Sequence, residues 1–341
     1  MTDALDIFAV STWVDGRLPG FEGPVQVQRF QVGQSNPTFR LATAAGDYVL
    51  RRKPGGVLLK SAHAVEREFA VQRALQDTDV PVPKMHLLCE DDSVIGAPFY
   101  LMDHVAGRSF GDPRLPDLTP DTRGAVMASM NRTLAAIHSV DLEAVGLQDY
   151  GPGGDYYARQ IGRWVKQYRA SATEEIAAME ALIDWLEANQ PPDDGRRTLV
   201  HGDYRIDNLL FAPDGTDCVA VLDWELSTLG HPFADLAAVI MQWQMPPGSD
   251  GRGLAGVDRD AAGLPTDEAF IASYCSHMGL GEIDRFGFYL AFCFFRMGAI
   301  LQGVKKRGLE GNASNPEKAA TLGAYVPEFA RQGLQAAKGT R

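Results

Sequence analysis

Cysteine is scarce and scattered: Cys89, Cys218, Cys275 and Cys293 stand far apart, with no Cys-x-x-Cys pair among them. That excludes the usual zinc and redox motifs and suits a reducing compartment. Long apolar runs are missing too. No uninterrupted stretch reaches the length a membrane crossing needs, and the first residues, with Asp3 and Asp6, carry no signal-like apolar segment. Positive charge is in deficit. The 32 Lys and Arg against 44 Asp and Glu leave a net charge of −12, which argues against general nucleic-acid binding. There is no internal repeat, no G-x-G-x-x-G and no Walker loop. The expectation is a cytoplasmic protein with neither a membrane nor a nucleic acid as partner. The 341 residues, 45% apolar, suffice for one large domain or two lobes.

What is present centres on Leu199-Val-His-Gly-Asp-Tyr-Arg-Ile-Asp-Asn-Leu-Leu-Phe211, which reads as a short strand, a polar loop and a second short strand. Four residues separate Asp203 from Asn208, the Asp-to-Asn spacing of the catalytic loop in protein kinases. Val219-Ala-Val-Leu-Asp-Trp-Glu225 follows as a strand ending in a carboxylate. Alone, each of these residues is more often a turn or capping residue. Together they supply what transfer of a phosphoryl group from ATP requires: a carboxylate for the attacking hydroxyl, and an amide oxygen with a second carboxylate for magnesium.

The motif HGDYRIDN followed by LDWE resembles the aminoglycoside phosphotransferase family of small-molecule kinases, and beyond it the chain looks most similar to the kinase-like domains associated with acyl-CoA dehydrogenases. The resemblance implies an α+β, protein-kinase-like fold of two lobes: a nucleotide-binding lobe of antiparallel sheet over residues 1–104 and a larger helical catalytic and substrate lobe over 105–341. It implies ATP with Mg2+, bound between the lobes, and a small-molecule hydroxyl acceptor, a hydroxy acid or an acyl-CoA. Asp203 takes the catalytic role, Asn208 and Asp223 hold the metal, and Glu225 is a second acid beside it. His201 and Asp235 brace the loop.

The N-terminal third supports this arrangement. Val25–Val32, Phe39–Thr43 and Tyr48–Arg52 alternate as strands of a meander, and Lys84–Cys89 and Pro98–Met102 add two more. In the turn after the first strand, Ser35 and main-chain N–H groups are suited to ATP phosphates. The resemblance puts a phosphate-binding cation at Arg51, with Lys53 on the same strand face as the alternative, and an ion-pair partner at Glu68 in a helix over Ser61–Leu75. Adenine would meet the main chain at Asp103 and Val105.

The remainder is helical. Thr119-Pro-Asp opens one helix with an N-cap and a first-position Pro, and it runs to His138. Over Tyr156–Arg169 the residues Tyr157, Ile161, Trp164, Val165 and Tyr168 form an apolar face opposite Arg159, Arg163, Lys166 and Arg169. That basic stripe is either a solvated face or a platform for an anionic substrate such as CoA, and it is the wrong charge for an aminoglycoside. Asp284–Val304 is apolar on nearly all sides and reads as a central buried helix in which Arg296 needs an anion, either a protein carboxylate or a substrate group. Pro246–Pro265 reads as a mobile loop, either a lid on the substrate site or a disordered stretch, and Pro316–Gln335 as one final helix. Alternatives of the same family are an aminoglycoside, choline or homoserine kinase; a kinase-shaped binding protein without turnover is the alternative of a different class.

Overall fold

The structure is a computed structural model that describes residues 5–22, 24–30, 36–54, 64–248, 252–312 and 315–339. The chain divides into two compact units, each assembled from more than one stretch of sequence. The first comprises residues 1–110, 140–148 and 205–227, and the second 111–139, 149–204 and 228–341.

The first unit is built on a five-stranded antiparallel sheet of β1 (Pro24–Arg29), β2 (Thr38–Thr43), β3 (Gly46–Arg52), β4 (Met85–Cys89) and β5 (Phe99–Asp103), in the order β1-β2-β3-β5-β4. The two-residue period of a strand divides its core. Phe99 and Leu101 of β5 join Phe39, Leu41 and Leu50 under the helix Ile7–Val14, contacting Val10 and Val14. Tyr100 and Met102 face the other way and pack with Val49 against Val65 and Phe69 of the helix Val65–Ala74. Arg51 shares the face of Val49, so β3 delivers it to that helix. The predicted helix start at Ser61 lies outside the described residues; the helix begins at Val65.

Residues 198–230 are divided between the units. They carry β6 (Thr198–Val200), β7 (Leu209–Phe211), β8 (Cys218–Val221) and β9 (Thr228–Gly230). β7 and β8 pair as a hairpin of the first unit, whereas β6 and β9 pair antiparallel within the second.

The second unit is helical and surrounds Phe286–Leu309 with Tyr156–Ser171, Ala177–Ala188, Phe233–Trp243, Pro316–Gly323 and Val326–Lys338. Phe286–Leu309 is the one described helix long and apolar enough to cross a membrane, but 67% of its apolar window is buried inside the protein, as a core helix requires. Thr119 caps the helix Pro120–His138 as expected, its hydroxyl accepting from the Thr122 N–H.

Two expectations need correction here. The last helix is two, Pro316–Gly323 and Val326–Lys338, with the break at Ala324-Tyr325. Pro327 occupies the first turn of the second helix, where its missing N–H has no cost. The described part of Pro246–Pro265 is packed rather than loose. The Leu254 N–H donates to the Trp243 carbonyl at 2.8 Å, Leu254 and Leu264 are buried, and Arg259 pairs with Asp267 at 2.5 Å while lying over Trp243. The Gly and Asp content of this stretch serves turns and a short capped helix, Arg259–Ala262.

Candidate active site

The first unit holds one group of the predicted residues together. The Arg51 Nη2 donates to Asp223 Oδ1 at 2.6 Å, and its Nε lies 3.0 Å from Glu68 Oε2. The second contact is off the line of a hydrogen bond, so it is a Coulombic pair rather than a charge-assisted bond. Glu68 is fully buried. Burial pushes its carboxyl up to about 7, with Arg51 and the Tyr100 hydroxyl opposing the shift and the charges of Asp223 and Glu225 adding to it. Desolvation weighs against the charge of Arg51 as well, but Glu68 and Asp223 outweigh it and hold the guanidinium more firmly protonated.

Asp223, two residues past β8, is in the left-handed region, with φ 64° and ψ 58°. A non-glycine residue there is uncommon and turns its side chain out of the strand line. Buried Trp224 fixes the turn, its Nε1 donating to the Val221 carbonyl at 3.0 Å. Asn208 stands at the same end of the hairpin, because the Leu222 N–H donates to its carbonyl at 2.8 Å just beyond the Leu209–Val221 pair. Glu225 Oε2 accepts from Asn36 Nδ2 at 3.5 Å, and Asn36 is buried. An amide oxygen and carboxylates make a hard, all-oxygen donor set. No cluster of three or more His, Cys, Asp or Glu able to hold a metal occurs among the described residues. The oxygen donor set fits magnesium, which takes one or two carboxylates and completes its shell with water and substrate phosphates.

Lys53 follows β3 and pairs with Glu66 at 3.0 Å instead of joining Arg51. Asp103 closes β5, with its carboxylate 2.5 Å from His86 Nε2 and its N–H given to the Lys84 carbonyl. The main chain of Val105 makes no hydrogen bond among the described residues. Ser35 lies outside the described residues.

The second unit carries Asp203. Gly202, at φ 84°, takes the left-handed turn that swings the chain out of β6. Asp235 then fastens this turn: its Oδ2 accepts from the His201 N–H at 2.6 Å and its Oδ1 from the Gly202 N–H at 2.8 Å. Burial alone would raise the Asp235 carboxyl, but His138, His201 and the Gly202 N–H outweigh it and hold it below the usual carboxylate range. His138 Nε2 lies 3.4 Å from Asp235, and its Nδ1 meets the Tyr274 hydroxyl at 2.6 Å. The Asp203 N–H donates to His201 Nδ1 at 3.3 Å, and the Tyr204 hydroxyl donates to the Met130 carbonyl at 2.7 Å. His201 and His138 therefore shape the backbone around Asp203.

Arg296 makes no ion pair with a carboxylate among the described residues. It is half-buried; its Nη2 donates to the Gly202 carbonyl at 3.2 Å, and the guanidinium lies 5.7 Å from the centre of the Trp164 ring. Trp164, expected inside, is half-exposed, with Arg163 over it at 5.6 Å. Arg159 is half-buried and Arg163 exposed. Sequence reasoning did not find Asn36, Tyr274 or Trp164 as parts of these clusters. Each joins through a contact across a long stretch of chain, which leaves no local signal.

Comparison with known proteins identifies the family. Residues 26–272 match the family described as "phosphotransferase enzyme family". Acyl-CoA dehydrogenase family member 10 from Mus musculus is 50% identical over 294 residues, covering 86% of the chain and 27% of the mouse protein. The chain spans less than half the length of the acyl-CoA dehydrogenase family relatives it matches. A crystallised Ralstonia eutropha protein, named as a candidate aminoglycoside phosphotransferase, superposes with a TM-score of 0.91 at 46% identity over 99% of this chain and all of that one. The aminoglycoside phosphotransferase APH(4)-Ia, in ternary complex with AMP-PNP and hygromycin B, shares the fold at a TM-score of 0.64 and 17% identity, covering 97% of this chain and 99% of its own.

Proposed function

The chain belongs to the phosphotransferase enzyme family of small-molecule kinases, and from that premise we propose that it uses magnesium and ATP to phosphorylate the hydroxyl of a hydroxy acid or hydroxyacyl-CoA. One observation carries the reading. A single run of chain, residues 198–230, bears Asp203, Asn208 and Asp223 in the order and spacing phosphoryl transfer requires, and both flanks of that run are secured, by Asp235 on one side and by Arg51 on the other.

The roles follow from the chemistry of each group. Asp203 orients the acceptor hydroxyl and takes its proton as the oxygen bonds to the γ-phosphorus and ADP departs. Asp235 keeps the peptide before Asp203 from moving. Asn208 and Asp223 would hold magnesium, with Glu225 assisting. Bound there, the ion would neutralise charge developing on the phosphate oxygens. Arg51, in contact with Asp223, is the cation for the phosphates. The chain contributes position and electrostatics rather than covalent chemistry. The acyl half of the proposal is supported by the relatives' name, acyl-CoA dehydrogenase family member, and by arginine, not carboxylate, on the exposed face of Tyr156–Ser171. The aminoglycoside reading draws on the name of the Ralstonia protein.

Magnesium-dependent ADP release tests the proposal, measured with hydroxy acids, hydroxyacyl-CoAs, an aminoglycoside, choline and homoserine. Release is expected with a hydroxyacyl acceptor, and Asp203→Asn lowers it by about 10²–10⁴-fold while ATP binding stays within about twofold. Equal turnover in the mutant would remove Asp203 from the chemistry. Release with an amine acceptor alone would replace the acyl reading, and nucleotide binding without release on any acceptor would favour a binding protein.

A further inference from the structure

We propose that Arg296 and Arg163, which both lie over Trp164, together with Arg159 one helical turn from Arg163, form the recognition site for a negatively charged oxygen group on the acceptor. This rests on the reading that Asp203 receives the acceptor hydroxyl. The charge is either the carboxylate of a free hydroxy acid or a phosphate of CoA.

The first argument is the company these guanidiniums keep. In a chain with 44 acidic and 32 basic residues, carboxylates are easily found. Arg40, Arg51, Arg169 and Arg259 each hold one. Among the described residues, Arg159, Arg163 and Arg296 make no ion pair with any. Arginine cannot relieve burial by losing its proton, so a half-buried guanidinium retains its demand for an anion. Arg296 meets only part of that demand. A single carbonyl accepts from its Nη2, and the Trp164 ring contributes a cation–π contact. The Nε of Arg159 is buried and makes no hydrogen bond. An unmet buried donor of this kind is costly, and the cost is recovered when an acceptor arrives.

The second argument is place. Arg159 and Arg163 are one helical turn apart and share a face. Arg163 and Arg296 both lie over Trp164, whose Nε1 is tied to Gln160 Oε1 at 3.2 Å. The Gly202 carbonyl that Arg296 touches belongs to the peptide bond leading into Asp203. The charge demand therefore sits beside the proposed base, and the half-exposed indole offers an apolar surface for a carbon chain. A polycationic acceptor would be repelled here.

Calorimetric titration without nucleotide tests the site, using a medium-chain hydroxy acid, its CoA thioester, its neutral methyl ester, and CoA alone. Wild type is expected to bind an anionic form roughly tenfold or more tighter than the methyl ester. Exposed Arg163→Gln, and separately Arg296→Gln, lose most of that preference without weakening the ester; Arg296→Lys recovers part of it. Preference for the acid, with CoA alone silent, identifies a carboxylate, and binding of CoA alone identifies its phosphates. If wild type binds the ester as tightly as the anions, the proposal fails. It fails equally if the arginine variants weaken all ligands alike, since Arg296 would then only hold the loop. Asp203→Asn keeps the preference, so a failure of the phosphoryl-transfer reading appears in turnover and leaves this result standing.

Discussion

Glu68 in the first unit and Asp235 in the second are equally withdrawn from water, each 1% exposed, yet their acidities move apart. Burial pushes Glu68 up to about 7, and Arg51 does not reverse it, because their contact lacks hydrogen-bond alignment and the other arm of Arg51 is committed to Asp223. Burial acts on Asp235 too, but His138, His201 and the Gly202 N–H hold that carboxyl below the usual range. Hydrogen bonds to the ionised form make the difference. Asp235 receives two main-chain N–H groups whose positions the fold fixes. Glu68 has a side-chain counter-ion that it shares with Asp223. The second unit thus anchors a backbone, and the first holds a carboxyl whose charge burial disfavours, beside the group proposed to meet metal.

The largest effect expected from breaking this contrast lies at Asp235. Asp235→Asn replaces one of the two acceptor oxygens with a donor aimed at an N–H and should cost about 2–4 kcal/mol of stability in urea unfolding at pH 7. The carboxyl is held below its unfolded value, so its contribution is present above the unfolded pKa and is lost as pH falls through the folded one. The gap between wild type and Asp235→Asn should therefore close in acid. A deficit under about 1 kcal/mol at pH 7 would mean that the His201 and Gly202 amides find other acceptors and that Asp235 is no anchor.

Glu68 should show the opposite sign. Its folded pKa lies above its unfolded one, so the folded state holds the proton longer, and stability falls as pH rises between the two values and levels off above about 7. Relative to Glu68→Gln, wild type should lose on the order of 1–3 kcal/mol between pH 5 and pH 8, read from paired unfolding curves. Parallel curves for the two proteins would show that Arg51 neutralises Glu68 fully, and the contrast with Asp235 would collapse.

How much of this was legible in the sequence depended on distance along the chain. The β7–β8 hairpin that carries Asn208 and Asp223 was, because a short ladder and its turn are local, whereas the pairing of β6, which leads into Asp203, with the distant β9 was not. The five strands and the Pro120–His138 helix followed from two-residue and helical periods, and the kinase-like fold from the resemblance those motifs carried. The interiors of the clusters were not legible. Asn36 meets Glu225, Tyr274 meets His138, and Trp164 meets Arg296 only after folding. Arg296 was flagged for a missing anion, and no pattern showed that a carbonyl and an indole would stand in. The Gly-rich stretch before Pro265 misled because composition reports turns, whereas the packing of Leu254 and Leu264 depends on tertiary neighbours.

The smallest effect is at Lys53, and it sharpens which cation belongs to the first unit's cluster. Arg51 and Lys53 are two residues apart and looked interchangeable as phosphate ligands. They differ in what they touch. Arg51 reaches Glu68 and Asp223 with a side chain 13% exposed. Lys53 and Glu66 pair with side chains 23% and 37% exposed, where water screens the attraction. Lys53→Ala should change stability by under about 1 kcal/mol and nucleotide affinity by under about threefold. Arg51→Ala strands Glu68 and should cost about 3–5 kcal/mol with a loss of nucleotide affinity of roughly tenfold or more. Calorimetric titration with a non-hydrolysable ATP analogue and magnesium separates the two. If Lys53→Ala weakens nucleotide and Arg51→Ala does not, Arg51 belongs to the fold alone, and the phosphates are met by the residue that leaves its carboxylate most cheaply.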